Sequence, residues 1–232
     1  MRKILTMMVM GMFLTACVTI CQAMEGCEEE NGSPVGGFGG GPQWGCYSPS
    51  LSNFNDYLKK ELGLDGIKNV GFQGGTFRWQ INPRWQIGYN GGWIYGEEQK
   101  TVNGTANVAF LSGGYHGILV SYKFPKEKLP DEKWDLAVGG GLGLFGVYAE
   151  LASVDKVTKH PEKYYWMEGD TLGYQLFIEG GYKIGKILTL GGDVTYLYAK
   201  IDDLKWAGEK VADPTEIDLS GFLIRFGPRF HF

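Results

Sequence analysis

The feature that most constrains this chain is an alternation of large apolar residues with small or polar ones. In "SGFLIRFGPRFHF" (220–232), one parity holds Phe222, Ile224, Phe226, Phe230 and Phe232, with Pro228 interrupting. The other parity holds Leu223, Arg225, Gly227, Arg229 and His231. Because successive side chains leave opposite faces of a strand, a period of two predicts β-structure with one apolar face.

Six further segments alternate in the same way: 69–81, 84–98, 107–124, 134–151, 171–184 and 187–201. Segments 69–81 and 107–124 do so less cleanly, and we expect a bulge at Gly74–Gly75 to change the phase of the first. The polar faces consist mainly of glycine and isolated charges, and the chain holds 37 glycines in 232 residues. Small residues suit the interior of a narrow barrel, and apolar residues suit a lipid-facing exterior. The sequence therefore predicts an all-β fold, a closed antiparallel up-and-down transmembrane β-barrel.

The first 23 residues, "MRKILTMMVMGMFLTACVTICQA", combine two basic residues with a long apolar run and a small-residue end. This pattern is typical of a secretory signal peptide, and we favour cleavage after Ala23. The string "LTAC" also matches a lipoprotein signal, in which Cys17 would carry the lipid. The apolar residues that follow Cys17 argue against lipidation, because a lipidated tether is usually polar.

Charge and cysteine content narrow the classes of partner and cofactor. Without Arg2 and Lys3 the chain keeps 20 basic and 26 acidic residues, a formal charge of −6, and it has no basic patch. This balance argues against a nucleic-acid partner. Cys27 and Cys46 remain after signal removal and could form one disulfide bridge in an exported protein. No cysteine–histidine cluster predicts a metal, and no cofactor is expected.

The region before the alternating strands has two parts. Residues 24–50 form a Gly-rich segment that we expect to be mobile. Residues 51–66 predict a short amphipathic helix, which Ser52 or Asn53 would cap and Gly63 would end. Its apolar face could pack on the barrel rim or the membrane surface, or plug the lumen.

Aromatic residues lie near both ends of the predicted strands, as in the girdles of membrane barrels. Those near the short connections are Trp79, Trp85, Trp134 and Tyr182, and those near the opposite ends are Trp93, Tyr196 and Tyr198. Connections at that second end, 99–106, 152–170 and 202–217, are longer. Short turns on one side and long loops on the other predict a periplasmic and an extracellular side.

The charges on the polar faces are of both signs and balance one another. They are Arg78, Asp135, Glu179, Asp193, Arg225 and Arg229. An unpaired charge in a lumen with little water would be costly, so we expect these six side chains to form a paired network inside the barrel.

With its signal peptide, alternating strands over 69–232 and C-terminal aromatic strand, the chain resembles the small eight-stranded bacterial outer-membrane barrels of the OmpA/OmpX type. The resemblance implies a bacterial outer-membrane location among lipids and lipopolysaccharide. It also implies that Phe230 and Phe232 form a signal for the barrel-assembly machinery. Only seven strands are clear. The eighth is either the Gly-rich stretch 36–48 or one half of a misread strand, unless the N-terminal segment threads the lumen.

The residues predict no catalytic centre. A nucleophilic mechanism needs a base within reach of a Ser or Cys, and His116, His160 and His231 have no such partner in sequence. By parity, His116 faces lipid unless the register shifts at Gly113–Gly114. The favoured function is a structural or surface-interaction barrel with a side-chain-filled lumen, acting through loops of unknown partner. Two alternatives remain: a lipid-modifying enzyme or narrow pore, and a soluble lipocalin-like container.

Overall fold

The computed structural model of the chain describes residues 37–155, 161–206, 209–210 and 216–231. The principal elements are β1 (Phe38–Pro49), α1 (Ser52–Leu62), β2 (Val70–Gln80), β3 (Trp85–Val102), β4 (Thr105–Lys123), β5 (Trp134–Asp155), β6 (Pro161–Lys183) and β7 (Leu188–Tyr198). They are followed by four short strands, β8 (Lys200–Ile201), β9 (Lys205–Trp206), β10 (Glu209–Lys210) and β11 (Ile217–Asp218), and by the final long strand β12 (Gly221–His231). A 3-10 turn, Lys126–Lys128, lies between β4 and β5.

Within the described residues, eight long strands form a closed antiparallel ring in the order β1 to β7 and then β12. The seam is the pairing of β1 with β12, in which Trp44 faces Phe226. The eighth strand is therefore β1, the Gly-rich candidate, and neither a divided strand nor a lumen-threading N-terminal segment is needed to complete the ring. The barrel begins at Phe38 rather than at residue 69, and the last part of the segment expected to be mobile is strand.

The side chains of the barrel have the predicted direction. Leu176, Val194 and Phe226 on the outer face are 58%, 49% and 62% exposed, whereas the inward Glu179 and Arg225 are 5% and 2% exposed. A soluble container would require the opposite arrangement around an apolar ligand. The lipocalin-like alternative is therefore wrong.

Strand β2 keeps one phase along its whole length. Its pairings with β1 and β3 run without interruption through Gly74 and Gly75, so the expected bulge is absent. Phe72 consequently points inward and is 2% exposed, while Gln73 points outward. The sequence suggests a change of phase because it places a large aromatic on the inner face and an amide on the outer one.

The two ends of the barrel differ. At the turn end, short connections join β2 to β3 and β6 to β7, and the chain enters β1 and leaves β12. At the hairpin end, β3 and β4 meet in a two-residue turn at Asn103 and Gly104, whose φ angles of 50° and 87° are those of a tight hairpin. The predicted long connections 99–106 and 152–170 are thus mostly strand.

Four strands extend beyond the ring at the hairpin end. The pairing of β2 with β3 stops at Val70–Gly96, and that of β6 with β7 stops at Tyr174–Tyr198. Strands β3, β4, β5 and β6 continue past these points as a four-stranded sheet, which we call the surface sheet.

Helix α1 connects β1 to β2 at the hairpin end and packs against the inner face of the barrel wall there. The residue at its N-cap is Leu51, without a side-chain cap, so neither Ser52 nor Asn53 has the predicted capping role. Gly63 ends the helix with φ of 64°, and its N–H bonds Leu58 and Lys59 carbonyls, as expected. None of the helices in the described residues is long and apolar enough to cross a membrane.

The interior is divided into two halves. Near the hairpin end it is an apolar core, in which Phe54, Leu58 and Leu62 of α1 pack with inward wall residues such as Leu111 and Leu151. Near the turn end it is polar and charged. Only this second half matches the small, polar interior predicted from the sequence.

Candidate functional site

The lumen near the turn end contains all six predicted network charges, and they form three groups. The first joins β12 to β7, where Arg225 and Asp193 are paired across the strands and both point inward. Arg225 Nη2 and Nε lie 2.8 and 2.9 Å from Asp193 Oδ1, and both side chains are 1% exposed. Thr195 Oγ1 donates to the same carboxylate at 2.6 Å, and Gln43 Nε2 donates at 3.2 Å. Several donors thus compensate the buried carboxylate.

The second group surrounds Glu179 on β6. Arg78 Nη2 from β2 lies 3.1 Å from Glu179 Oε2, across the lumen, and Arg229 Nη1 from β12 lies 3.5 Å from Oε1. The Arg78 guanidinium also stands over the Phe177 ring at 5.3 Å, a cation–π contact. The Arg78–Glu179 pair links β2 to β6 on opposite sides of the ring, and the Arg229–Glu179 pair links β12 to β6 across β7.

The third group lies closest to the turn end. Asp135 is 3.7 Å from Lys123 Nζ and 3.7 Å from Lys183 Nζ, and it is not paired with one of the predicted arginines. Sequence reasoning missed both lysines. Their inward parity at the last positions of β4 and β6 was the signal that could have found them.

A polar layer separates these charges from the apolar core. Asn90 and Gln175 form a reciprocal amide pair, with N–O distances of 2.8 and 3.0 Å. The Tyr115 hydroxyl accepts hydrogen bonds from Asn90 Nδ2 at 3.3 Å and from Arg225 Nη1. The layer therefore links the Arg225 group to the centre of the barrel.

Above that layer the lumen is closed by α1 and the residues after it. Asn107 Nδ2 donates to the Leu62 carbonyl at 2.6 Å and fixes the end of the helix against β4. Asn53 Nδ2 donates to Glu216 Oε1 at 2.7 Å and ties its beginning to the chain before β11. The cavity lined by Tyr47, Tyr115 and Leu219 holds only about 10 Å³. That volume is about one water.

The histidines have no catalytic setting in the described residues. His116 lies on the outer wall as parity predicts, without a register shift, and its Nδ1 is 2.5 Å from the Tyr89 hydroxyl. His231 Nε2 is 2.9 Å from Thr189 Oγ1 near the turn end. His160 lies outside the described residues. The described residues also contain no cluster of three potential metal ligands.

The seven predicted interface aromatics all lie on the outer face, in two rows. Toward the turn end, Trp134 packs edge-on against Tyr182 at 5.4 Å. Trp79 and Trp85 stand in the same row, 43% and 45% exposed. Toward the hairpin end, Tyr198 stacks on Tyr174 at 4.8 Å, Tyr196 meets Phe222 edge-on at 5.2 Å, and Trp93 is 55% exposed.

Three predicted features remain partly or wholly outside the described residues. Phe230 lies on the outer face at the turn end, but Phe232 falls outside the described residues, so their joint role as an assembly signal stays a prediction. Cys46 points outward from β1 and is exposed. Cys27 falls outside the described residues, as does the signal peptide with Cys17, so the disulfide and the lipidation stay predictions too.

Comparison with solved structures decides the class of barrel. OprG of Pseudomonas aeruginosa superposes with a TM-score of 0.55 at 13% identity, covering 87% of this chain and 98% of OprG. The fold is that of the small eight-stranded outer-membrane barrels. The predicted likeness to the OmpA/OmpX class is confirmed.

Two further outer-membrane barrels match less closely. Ail of Yersinia pestis gives a TM-score of 0.45 at 10% identity, covering 84% of this chain and 95% of its own. The N-terminal barrel domain of OprF of Pseudomonas aeruginosa gives 0.42 at 10% identity, covering 86% and 100%. No family model and no curated protein matches the sequence. Because no matched sequence assigns a site, the candidate site of this outer-membrane barrel is described from its own lumen and from α1, which plugs the hairpin end and is called the plug below.

Proposed function

We propose that the protein is a closed, non-catalytic barrel of the bacterial outer membrane that holds the surface sheet outside the cell. The observation that carries this proposal is the filling of the lumen: paired charges occupy its turn end and α1 with its apolar partners occupies its hairpin end. An eight-stranded barrel is narrow enough for side chains to fill it.

The orientation follows from the connections. Outer-membrane barrels have short turns on the periplasmic side and longer extensions outside. In this proposal the turn end is periplasmic, and α1, the surface sheet and the short strands β8 to β11 lie on the outer side of the membrane.

The surface sheet carries the contact surface in this proposal. On its outer face Tyr148 stacks on Trp166 at 6.0 Å, and Tyr164 is 52% exposed. Tyr165 lies on the opposite face, where it packs against the core and contacts Trp206 edge-on at 5.5 Å. Tyrosine and tryptophan are enriched at protein interfaces because they combine apolar area with a polar group. We propose the saccharide part of lipopolysaccharide as the contact of the outer-face aromatics Tyr148, Tyr164 and Trp166.

Single-channel conductance in planar bilayers tests the closed lumen. The native protein should give no steady conductance. Replacing buried apolar residues of the plug, Phe54→Ser with Leu58→Ser, should loosen α1 and produce openings. Asp56→Ser, on the exposed face of the same helix, is the matched control and should stay silent. Steady conductance of the native protein would instead support the narrow-pore alternative and overturn the proposal.

The surface contact has a separate test. Binding of purified lipopolysaccharide to the reconstituted protein should weaken when Tyr164 and Trp166 are replaced by Ser. Replacing Gln99 and Thr101 at the edge of the same sheet should leave binding unchanged. If the Tyr164/Trp166 variant binds lipopolysaccharide as strongly as the Gln99/Thr101 variant does, the aromatic face is excluded as the contact.

A further inference from the structure

The outer wall of the barrel contains a groove of about 650 Å³ that crosses β4, β5 and β6 toward the hairpin end. Its floor includes Gly114 and Gly146, which are paired across β4 and β5 and both point away from the lumen. Trp93, His116, Leu144 and Tyr148 stand around it. A volume of this size lies within the usual range of small-molecule sites.

Barrel packing does not account for the missing side chain at Gly146. A Cβ atom there would meet only the Gly169 carbonyl oxygen, at 3.9 Å, and one at Gly114 would have its nearest neighbour at 3.4 Å. Inward glycines behave differently: a Cβ at Gly143 would lie 2.5 Å from the His116 carbonyl oxygen and 3.0 Å from Gly117 Cα. The fold thus needs Gly143, whereas a side chain at Gly146 would enter the groove without meeting the barrel wall.

The groove is apolar at one end and charged at the other. Leu144, 46% exposed, lies on the side toward the middle of the membrane wall. At the other side, beyond the barrel ring, lie Glu168 and Asp170 of β6 with Asp203 and Lys205 of the segment opposite. Three carboxylates and one ammonium give this mouth a formal charge of −2, and Lys205 Nζ is already 4.0 Å from Asp203 Oδ2.

We propose that this groove binds a single-chain amphiphile with an ammonium head group. The hydrocarbon chain lies along Leu144, Gly146 and Gly114, and the head group lies among the carboxylates of Glu168 and Asp170. The surrounding bilayer brings hydrocarbon chains to the wall, and the negative mouth selects a positive head group over a phosphate or sulfate. The site is separate from the lumen and does not depend on whether the lumen is closed.

Photolabelling tests the site directly. The full-length protein is reconstituted in phosphatidylcholine vesicles and labelled with dodecylammonium that carries a diazirine near its chain end. Peptide mass spectrometry then measures the label on β4 and β5.

Gly146→Leu fills the floor and should lower the label about tenfold. Gly180→Leu is the matched control, since Gly180 also points outward, has only the Asp135 carbonyl oxygen at 3.9 Å and Leu136 Cδ1 at 4.0 Å near its Cβ position, and lies outside the groove. Heat-modifiable migration on gels verifies folding of each variant. If Gly146→Leu fails to fold, Gly114→Leu takes its place. Equal labelling of all variants would reduce the contact to ordinary bilayer lipid and overturn the proposal.

A second set of labelling reactions tests whether the carboxylates select the ammonium head group. Glu168→Gln with Asp170→Asn should lower labelling by the ammonium probe about tenfold, and labelling by a dodecyl sulfate analogue should be weak in the native protein. Sulfate labelling as strong as ammonium labelling would overturn the head-group assignment. An unchanged ammonium label in the neutralised variant would do the same.

Discussion

At the scale of single residues, Arg225 shows how the interior depends on pairing. Its guanidinium is buried and bonds Asp193, Thr195 and Tyr115. Asp193→Ala leaves this charge without its carboxylate, and we expect a loss of about 3–5 kcal/mol in unfolding free energy. Urea titration in lipid vesicles measures it.

The double variant Asp193→Leu with Arg225→Met provides the control for that prediction. It removes both charges together and should recover most of the lost stability, because burying an ion pair is often no better than burying apolar groups. A double variant as unstable as Asp193→Ala would show that packing rather than charge sets the cost.

A second residue-scale prediction concerns Asp65, in the loop after α1. The Lys100 ammonium donates a hydrogen bond to Asp65 Oδ1 at 2.9 Å and thereby lowers the pKa of that carboxyl. Because the folded pKa lies below the unfolded value of about 3.9, the pair stabilises the fold above that pH and is lost as pH falls through the folded pKa. Carbon-13 NMR of the carboxyl should show a depressed midpoint that Lys100→Gln raises. An unchanged midpoint would disprove the coupling.

At this scale, parity alone places the six network charges inside. It cannot give their partners, because which side chains meet depends on the stagger between strands around the ring. For that reason Asp135 contacts Lys123 and Lys183 rather than the arginines that the sequence predicts as its partners.

At the scale of elements, β1 closes the ring, and its glycines make the seam tight. A Cβ on Gly45 would collide with the Ile224 carbonyl oxygen of β12. Gly45→Ala should therefore weaken the seam and reduce the heat-modifiable folded band, whereas Gly180→Ala, whose Cβ would meet its neighbours only at ordinary van der Waals distance, should not. Equal bands for both variants would show that the seam tolerates a side chain.

The same glycines explain why β1 is hard to predict. "FGGGPQWGCYSP" contains four glycines and two prolines, so few of its positions carry the apolar signal that marks a strand. The long hairpins escape prediction for a related reason. Residues beyond the ring, such as Glu97 to Lys100, no longer face lipid and so lose the period of two, although they remain strand.

At the scale of the whole molecule, the predicted assembly signal awaits a test. Phe230→Ser with Phe232→Ser should reduce the amount of folded protein in the outer-membrane fraction. Phe222→Ser, on the same face but at the opposite end of β12, should reduce it less, because it changes an outward aromatic without touching the C-terminal end. Similar losses in both variants would mean that outward aromatics matter only for general stability.

The position of α1 in the chain restricts the order in which the barrel can form. The helix lies between β1 and β2, and β1 supplies one side of the seam. When β1 has paired with β12, the ring is closed. Its mouth then already contains α1, because the chain carries this helix between β1 and β2. The helix therefore has to enter the mouth before β1 pairs with β12 or during that pairing, so that closing the ring leaves the lumen already blocked at this end.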